Sequence, residues 1–235
     1  MLRFARSFTA KLLYFGPEPL RRLVKEQSEL LYWRNNLRRS DFCFYNGHFE
    51  KYFSTLFGLE RSYFSGKRML DIGCGPLGSL EWADNAKKRV GVDPLADKYL
   101  QLNGGKHRMT YVHAKSECLP FRDESFDVVS MFNALDHVED VDTSISEAVR
   151  VLAPGGDVLL IVEVNHPPTL TEPHCLTETI LNRFSGCTLV ERKRYAVNAE
   201  HNVYGSIREA VSPAHPNDPA ILCARLVKQS ARKKT

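Results

Sequence analysis

The sequence has no run of about 18 consecutive apolar residues, the length that a membrane-spanning helix requires. Its six cysteines are scattered and include no C-x-x-C pair, which argues against a zinc motif and against a disulfide framework. The amino terminus lacks the apolar core and the small-residue cleavage site of a secretion signal. We therefore expect reduced thiols and a cytoplasmic protein.

Basic charge is concentrated at the two ends of the chain. Residues 1–40 hold nine Lys and Arg against three Asp and Glu, and residues 224–235 hold five basic residues and no acid. Because the formal net charge is +4, the intervening residues 41–223 carry −7. This acidic body argues against nucleic acid as a partner and leaves the two ends as candidate contacts with acidic partners.

The first 16 residues combine basic residues with an apolar face formed by Phe4, Phe8, Leu12 and Phe15. Their spacing of three and four predicts a helix, which Gly16-Pro17 ends. Three interpretations remain open: packing on the domain, peripheral contact with an anionic membrane surface, and a mitochondrial presequence. The pattern gives no indication of the oligomeric state.

Two further helical stretches follow, at Glu18–Leu37 and Phe42–Leu59. The second is dense in aromatic residues, a pattern typical of core packing; the alternative is a lid that covers a ligand. We therefore divide the chain into an amino-terminal helical segment or lid, residues 1–65, and a larger domain, residues 66–235.

From Gly66 onward, short apolar strands alternate with helices, which predicts an α/β domain with a parallel sheet covered on both faces. The predicted strands are Lys67–Ile72, Arg89–Asp93, Met109–His113, Phe126–Phe132, Val158–Val164, Cys187–Tyr195 and Ile221–Val227. The predicted helices are Ser79–Lys87, Pro94–Leu102, Val141–Leu152 and Glu178–Phe184, and Pro154-Gly155-Gly156 is predicted as a turn before the fifth strand.

The first strand runs into Gly73, Gly75 and Gly78, which satisfy the G-x-G-x-x-G pattern of nucleotide-binding sheets. Asp93 ends the next strand, 18 residues beyond Gly75, where a carboxylate can accept both hydroxyls of a ribose. Two features disfavour a dinucleotide. Asp71 would repel a pyrophosphate, and Pro76 removes an N–H from the start of the following segment. A ligand with a ribose, an amino group and a sulfonium, such as S-adenosylmethionine, fits better.

At this point the chain resembles the class I S-adenosylmethionine-dependent methyltransferases of the small-molecule type. The resemblance runs from about Lys67 to Val164, and its landmarks are Leu70–Gly75, Gly91–Asp93, Glu117–Phe121, Ser125–Val129, Asn133–Val138 and Arg150–Gly156. It implies a Rossmann-like seven-stranded sheet, mostly parallel with the last strand antiparallel, with helices on both faces and an amino-terminal helical cap.

The resemblance also implies the residues that bind the cofactor, S-adenosylmethionine. These are Asp71, Gly73 and Gly75 at the methionine end, Asp93 and Pro94 at the ribose, Ser116 and Glu117 beside the adenine, and Asn133 near the methionine portion. Lys115 departs from the pattern, because the family commonly has an aspartate there that accepts from the adenine amino group. Backbone groups would then hold the adenine.

Methyl transfer to a hydroxyl or an ammonium requires a base near neutrality, and histidine suits that role. His137 follows the fourth strand, and His174 lies in a Pro-rich loop after the fifth, so both are expected at the carboxyl edge of the sheet. Each has an alternative structural role in packing or capping. His113 is the third candidate and fits a structural or adenine-side position better. The spacing of His166, His174 and Cys175 matches no common zinc pattern, so no metal is expected.

Residues 165–177 and 196–219 are loops suited to acceptor binding, because long connections are often functional. The sequence thus predicts methyl transfer to oxygen or nitrogen of a small polar metabolite, sugar or natural-product intermediate. The alternatives are a membrane-associated lipid or quinone methyltransferase and a non-catalytic S-adenosylmethionine-binding protein. A nicotinamide dehydrogenase is a weaker alternative.

Overall fold

Seven strands, the central ones rich in buried apolar residues, pair into a sheet in the computed structural model, which describes residues 18–39, 46–169 and 171–230. The strands are β1 (Arg68–Ile72), β2 (Lys88–Asp93), β3 (Thr110–His113), β4 (Phe126–Phe132), β5 (Leu152–Val164), β6 (Cys187–Ala196) and β7 (Ala220–Lys228). Their order is β3-β2-β1-β4-β5-β7-β6. The first five strands are parallel, and β7 is antiparallel to β5 and β6. The predicted seven-stranded architecture is confirmed.

Strand β5 begins six residues earlier than the sequence predicts, because Pro154-Gly155-Gly156 belongs to the strand rather than to a turn before it. The pairing of β5 with β4 passes from Phe126–Leu152 to Val128–Asp157, so residues 153–156 bulge out of β5. Gly155 has a φ of +75°, and a Cβ on Gly156 would lie 2.8 Å from the carbonyl oxygen of Asp127. The predicted turn residues therefore form a bulge within β5 rather than a turn before it.

The α-helices are α1 (Glu18–Arg39), α2 (Glu50–Phe53), α3 (Ala96–Asn103), α4 (Val141–Val151) and α5 (Val203–Glu209). Shorter 3₁₀ turns occupy Gly47–Phe49, Thr55–Phe57, Arg61–Phe64 and Glu178–Arg183. The Asp140 carboxylate caps α4 by accepting from the backbone N–H of Thr143 at 3.0 Å. None of the helices among the described residues is long and apolar enough to cross a membrane.

The helix predicted at 79–87 is absent, and the segment forms successive turns. Its backbone bonds join residues three apart, such as Glu81 N–H to Gly78 C=O at 3.0 Å. Leu80, Trp82 and Ala83 are all buried, although these positions do not share one face of a helix. Burial of these three side chains against the sheet stabilises the turns more than the local helical preference stabilises a helix.

Two apolar cores cover the two faces of the sheet. On one face, Ile145 and Ala148 of α4 join the buried cluster that contains Leu70 and Val129. On the other face lies the aromatic segment, residues 47–64, whose buried rings pack with Met69 and Val128. The rings that it contributes are Phe49, Tyr52, Phe53, Phe57 and Phe64. Core packing, rather than a lid, describes these residues.

Helix α1 lies outside both cores. Leu30 packs with Leu95 and Tyr99, and the Tyr99 hydroxyl donates to Glu29 at 2.9 Å, so α1 is joined to α3 and the loop before it. The helix predicted over Phe4–Phe15 lies outside the described residues, as do Phe42, Phe44 and Tyr45 of the predicted aromatic helix.

Candidate cofactor and acceptor site

The loop after β1 lies where the strand order reverses between β1 and β4. Its glycines Gly73, Gly75 and Gly78 have φ values of +75°, +57° and +69°, a conformation that favours glycine. A Cβ on Gly73 would lie 2.4 Å from the Cβ of Ala134, which follows β4. Because Gly73 has no side chain, the loops that follow β1 and β4 can lie close together. They meet at the crevice where open α/β sheets bind ligands.

Asp71, near the end of β1, is buried beneath this loop. Its two carboxylate oxygens accept hydrogen bonds from the hydroxyls of Ser79 and Ser130, the latter at 2.6 Å. Burial raises the pKa of Asp71 to about 6, although both hydroxyl donors oppose that shift. The carboxylate thus connects β1, β4 and the end of the glycine loop.

Asp93, at the end of β2, is also buried and contacts the glycine loop. Its carboxylate accepts from the backbone N–H groups of Leu95 at 2.8 Å and Gly75 at 3.3 Å. Burial, together with the negative charge of Glu29 on α1, raises the pKa of Asp93 to about 7. The adjoining Pro94 is exposed. Asp93 ends β2 as predicted, and it also contacts the second glycine of the loop directly, which the sequence does not predict.

The loop after β3 lies against the amino-terminal end of α4. The Ser116 hydroxyl is 2.8 Å from a serine hydroxyl of that helix. Glu117 accepts from the backbone N–H groups of Glu139 and Asp140 at 2.7 and 3.1 Å. Lys115 pairs with the Glu139 carboxylate at 2.7 Å. Glu117 thus fixes the loop after β3 to the start of α4. The Glu139 carboxylate neutralises the positive charge of Lys115.

The loop after β4 presents a compact acid–base group. The His137 Nε2 lies 3.9 Å from an oxygen of Asp136 and 3.8 Å from an oxygen of Glu172. Burial raises the pKa of Asp136, and the charge of Glu172 acts in the same direction. Asn133 begins the loop in a left-handed conformation, with φ +50°, and its N–H donates to the β5 carbonyl of Ile161 at 2.7 Å.

His174 is brought to the same loop, because its Nε2 lies 2.8 Å from the carbonyl oxygen of Val138. A carbonyl oxygen only accepts, so this nitrogen carries the proton in that bond. His174 therefore orients the β4 loop. His113 lies apart from the two, at the end of β3, where it pairs with Asp97 at 2.8 Å and is more than half exposed.

Helix α1 crosses the crevice. A Cβ on Gly75 would lie 3.2 Å from the ring of Trp33, so this indole lies directly on the glycine loop. At the other side of the crevice, the Lys25 ammonium donates to the carbonyl oxygen of His137. Burial lowers the pKa of Lys25. One helix thus contacts the loops that follow β1, β2 and β4.

Several residues of this site escape sequence reasoning because only the folded topology brings them together. Trp33 and Glu29 fall in a stretch whose composition predicts nothing beyond a helix. Glu163 and His166, at the end of β5, meet His201 from the insert before β7, with one side-chain atom of each lying within 4.8 Å of the others. No local spacing signals a cluster whose members are 35 residues apart.

These features define a Rossmann-like sheet of the methyltransferase type, with a crevice lined by the loops that follow β1, β2 and β4. The family model "Methyltransferase domain" matches residues 70–160. Residues 70–160 therefore match a methyltransferase domain, and the sheet has the fold that the class I S-adenosylmethionine-dependent methyltransferase motifs predict.

Curated relatives match 40% to 44% of the chain. "Ubiquinone/menaquinone biosynthesis C-methyltransferase UbiE" of Shewanella halifaxensis is 37% identical over 95 residues, which cover 40% of this chain and 36% of that protein. The protein of the same name from Pseudomonas aeruginosa is 37% identical over 118 residues, 44% of each. The chain thus spans less than half the length of these relatives.

Solved structures share the fold at low identity. A methyltransferase from Mesorhizobium loti aligns with a TM-score of 0.55 at 21% identity, covering 70% of this chain and 92% of that one. A "possible histamine N-methyltransferase" from Thermotoga maritima aligns at 0.55 and 17%, covering 86% and 99%. The [4+2]-cyclase SpnF aligns at 0.56 and 19%, covering 79% and 81%. The fold alone therefore does not determine the reaction.

Proposed function

We propose that this protein transfers a methyl group from S-adenosylmethionine to an oxygen or nitrogen of a small polar metabolite, sugar or natural-product intermediate. The observation that carries the proposal is the position of His137 between Asp136 and Glu172, on the loop that Gly73 and Ala134 hold against the glycine loop. A proton acceptor thus lies beside the crevice that would hold the cofactor.

The residues present fit S-adenosylmethionine. Gly73 and Gly75 leave backbone without side chains at the crevice, and the buried Asp71 and Asp93 suit a cationic ligand with ribose hydroxyls better than a phosphate. Asp93 would bind the ribose, and the β3 loop with Ser116 and Glu117 would border the adenine. When bound, the cofactor supplies a methyl carbon already activated by the sulfonium.

The chain's own contribution is alignment of the acceptor, exclusion of water and removal of one proton. His137 would accept the proton from the acceptor hydroxyl or ammonium. The imidazolium that forms would lie 3.9 and 3.8 Å from carboxylate oxygens of Asp136 and Glu172, which stabilise positive charge there. His174 would act as a positioning residue, since it holds the Val138 carbonyl of the same loop.

We further propose that α1 is a lid on the cofactor crevice and that residues 165–177 and 196–219 form the acceptor side. Trp33 lies on Gly75, so α1 must move for a ligand to contact this loop. Of the described side chains of α1, those of Leu30 and Leu37 are buried, so only a small apolar contact must be released when α1 moves.

The five described cysteines are free thiols, which supports the proposed cytoplasmic location.

The names of the curated relatives support a second candidate, C-methylation of a quinone precursor at a membrane surface. The acceptor side of this chain favours the polar acceptor instead, because it gathers Asp136, His137, Glu163, His166 and Glu172. A non-catalytic binding protein is the third candidate. An acceptor panel assayed with S-adenosylmethionine labelled in its methyl group, including a soluble quinol, separates the three.

His137→Asn tests the proposed base. With the best acceptor of the panel, we expect kcat to fall at least about tenfold, equivalent to 1.4 kcal/mol, while the cofactor Kd stays unchanged. His113→Asn is the matched control, because His113 pairs with Asp97 away from the β4 loop. Wild-type turnover in both His137→Asn and His174→Asn would contradict histidine catalysis.

A further inference from the structure

We propose that Glu163, His166 and His201 form a binding site for a divalent transition-metal ion. One ligand atom from each side chain, an imidazole nitrogen or a carboxylate oxygen, lies within 4.8 Å of the other two. The His166 and His201 rings are 6.5 Å apart, with their planes at 77°. Small side-chain rotations bring such a group to the bond lengths of about 2.0–2.2 Å that zinc requires.

The backbone holds the three residues in place. Glu163 lies near the end of β5, and Asn165, with φ +60°, turns the chain so that His166 follows in the loop. The Asn165 side-chain amide donates to the carbonyl oxygens of Pro216 and Asp218, each at 3.2 Å. These bonds tie the end of β5 to the 196–219 insert, which carries His201.

One buried oxygen of the Glu163 carboxylate supports a bound cation. The Oε1 atom of Glu163 is inaccessible to solvent, and no donor among the described residues lies within hydrogen-bonding distance of it. A buried carboxylate oxygen without a partner is unfavourable, and such groups in native proteins are usually satisfied by a donor or a cation. A metal ion held with the two imidazoles would satisfy it.

The donor set indicates the kind of ion. Two imidazoles and one carboxylate favour zinc, cobalt or iron over magnesium and calcium, which prefer oxygen ligands. Three protein ligands leave a coordination position for water or another molecule. His201 also lines a groove of ≈ 450 Å³ with Val197, Ser212 and Asp218, so a molecule bound there would lie beside the ion.

A second cluster, Asp136, His137 and Glu172, has similar spacing. It offers one imidazole and two carboxylates, and the Lys25 ammonium is close enough to affect the ionisation of Asp136. Both features make it a weaker transition-metal site. His137→Ala therefore serves to separate zinc binding at this second cluster from binding at Glu163, His166 and His201.

The test is calorimetric titration of the metal-stripped full chain with ZnCl₂, supported by Co²⁺ absorption, in a reducing buffer without cofactor. We expect one site in the wild type, affinity at least about tenfold weaker in His166→Ala and His201→Ala, and no response to Mg²⁺. Glu163→Gln preserves the side-chain shape and should also weaken binding. His137→Ala, and His215→Ala in the same insert, should bind as the wild type does.

Wild-type zinc affinity in both His166→Ala and His201→Ala would overturn the proposal, as would loss of binding in His137→Ala alone. Far-UV circular dichroism of each variant checks that the fold is retained. Because binding is measured without cofactor or acceptor, its outcome is independent of the proposed methyl transfer.

Discussion

Helix α1 and the aromatic segment are neighbours in sequence but differ in how they join the domain. The aromatic segment buries its rings, with Phe53 0% and Phe57 1% exposed, beneath the sheet. In α1, Leu31 and Tyr32 are 60% and 58% exposed, and its hydrogen bonds include those of Lys25 with the β4 loop and of Glu29 with Tyr99 of α3. One segment is part of the core, whereas the other lies across the crevice.

The largest expected effect is on the free energy of unfolding, which should depend much more on the aromatic segment than on α1. Phe53→Ala should lower the free energy of unfolding by about 3–5 kcal/mol, because it removes a fully buried ring packed against Trp82 and Phe132. Leu31→Ala, on the exposed face of α1, should change it by less than about 0.5 kcal/mol. Urea unfolding measures both, and comparable losses would mean that α1 is as integral as the aromatic segment.

The second prediction addresses movement of α1. The double variant Leu30→Ala, Trp33→Ala weakens the contacts of α1 with Tyr99 and with Gly75. We expect S-adenosylhomocysteine to associate about tenfold faster, since the open conformation would be more populated. Stopped-flow competition against a fluorescent cofactor analogue provides the measurement, with Leu31→Ala as control. An unchanged association rate would show that α1 does not limit entry.

The third prediction concerns pH. The Asp93 pKa of about 7 in the folded protein lies above the usual aspartate value of 3.8. The folded state therefore binds a proton more readily than the unfolded state, and this group's contribution to stability is fully present below about pH 3.8 and is lost as pH rises through 7. Cofactor affinity should rise over the same interval, because ribose hydroxyls donate to the ionised carboxylate.

The smallest expected effect is electrostatic. Glu29→Gln removes a charge on α1 that raises the pKa of Asp93, so the midpoint of the pH-dependent cofactor affinity should move below its wild-type position. Glu26→Gln is the matched control, since Glu26 pairs with Lys98 on α3. Calorimetry between pH 5 and 8 gives both midpoints. Identical midpoints in the wild type and Glu29→Gln would mean that α1 does not influence Asp93.

Patterns local in the chain were sufficient to predict much of the fold. Phe126–Phe132 forms β4 with the predicted bounds, because a mostly apolar run between turn residues suits a strand buried on both faces. The position of Asp93 at the end of β2 was also predicted. The failures depend on tertiary context: residues 79–87 form turns because Leu80, Trp82 and Ala83 are buried together.

The residues of the candidate site also fall into two groups: those that local patterns predict and those that only the folded topology brings together. Asp71, Asp93 and the glycines lie in one motif-rich stretch, whereas Trp33 contacts Gly75, and Glu172 lies beside His137, from distant parts of the chain. Their proximity arises from strand order and from the path of long segments. Neither property is encoded in a short spacing, so the sequence predicts His137, His174 and the loops 165–177 and 196–219 but not the contacts among them.

The boundary of the family match has a consequence for how specificity diverges. The matched residues, 70–160, contain the glycine loop and Asp93 and end before Glu163, so the β5 loop and the 196–219 insert lie outside the match. Under the proposed function, substitutions in the carboxyl-terminal third would alter acceptor choice without disturbing cofactor binding.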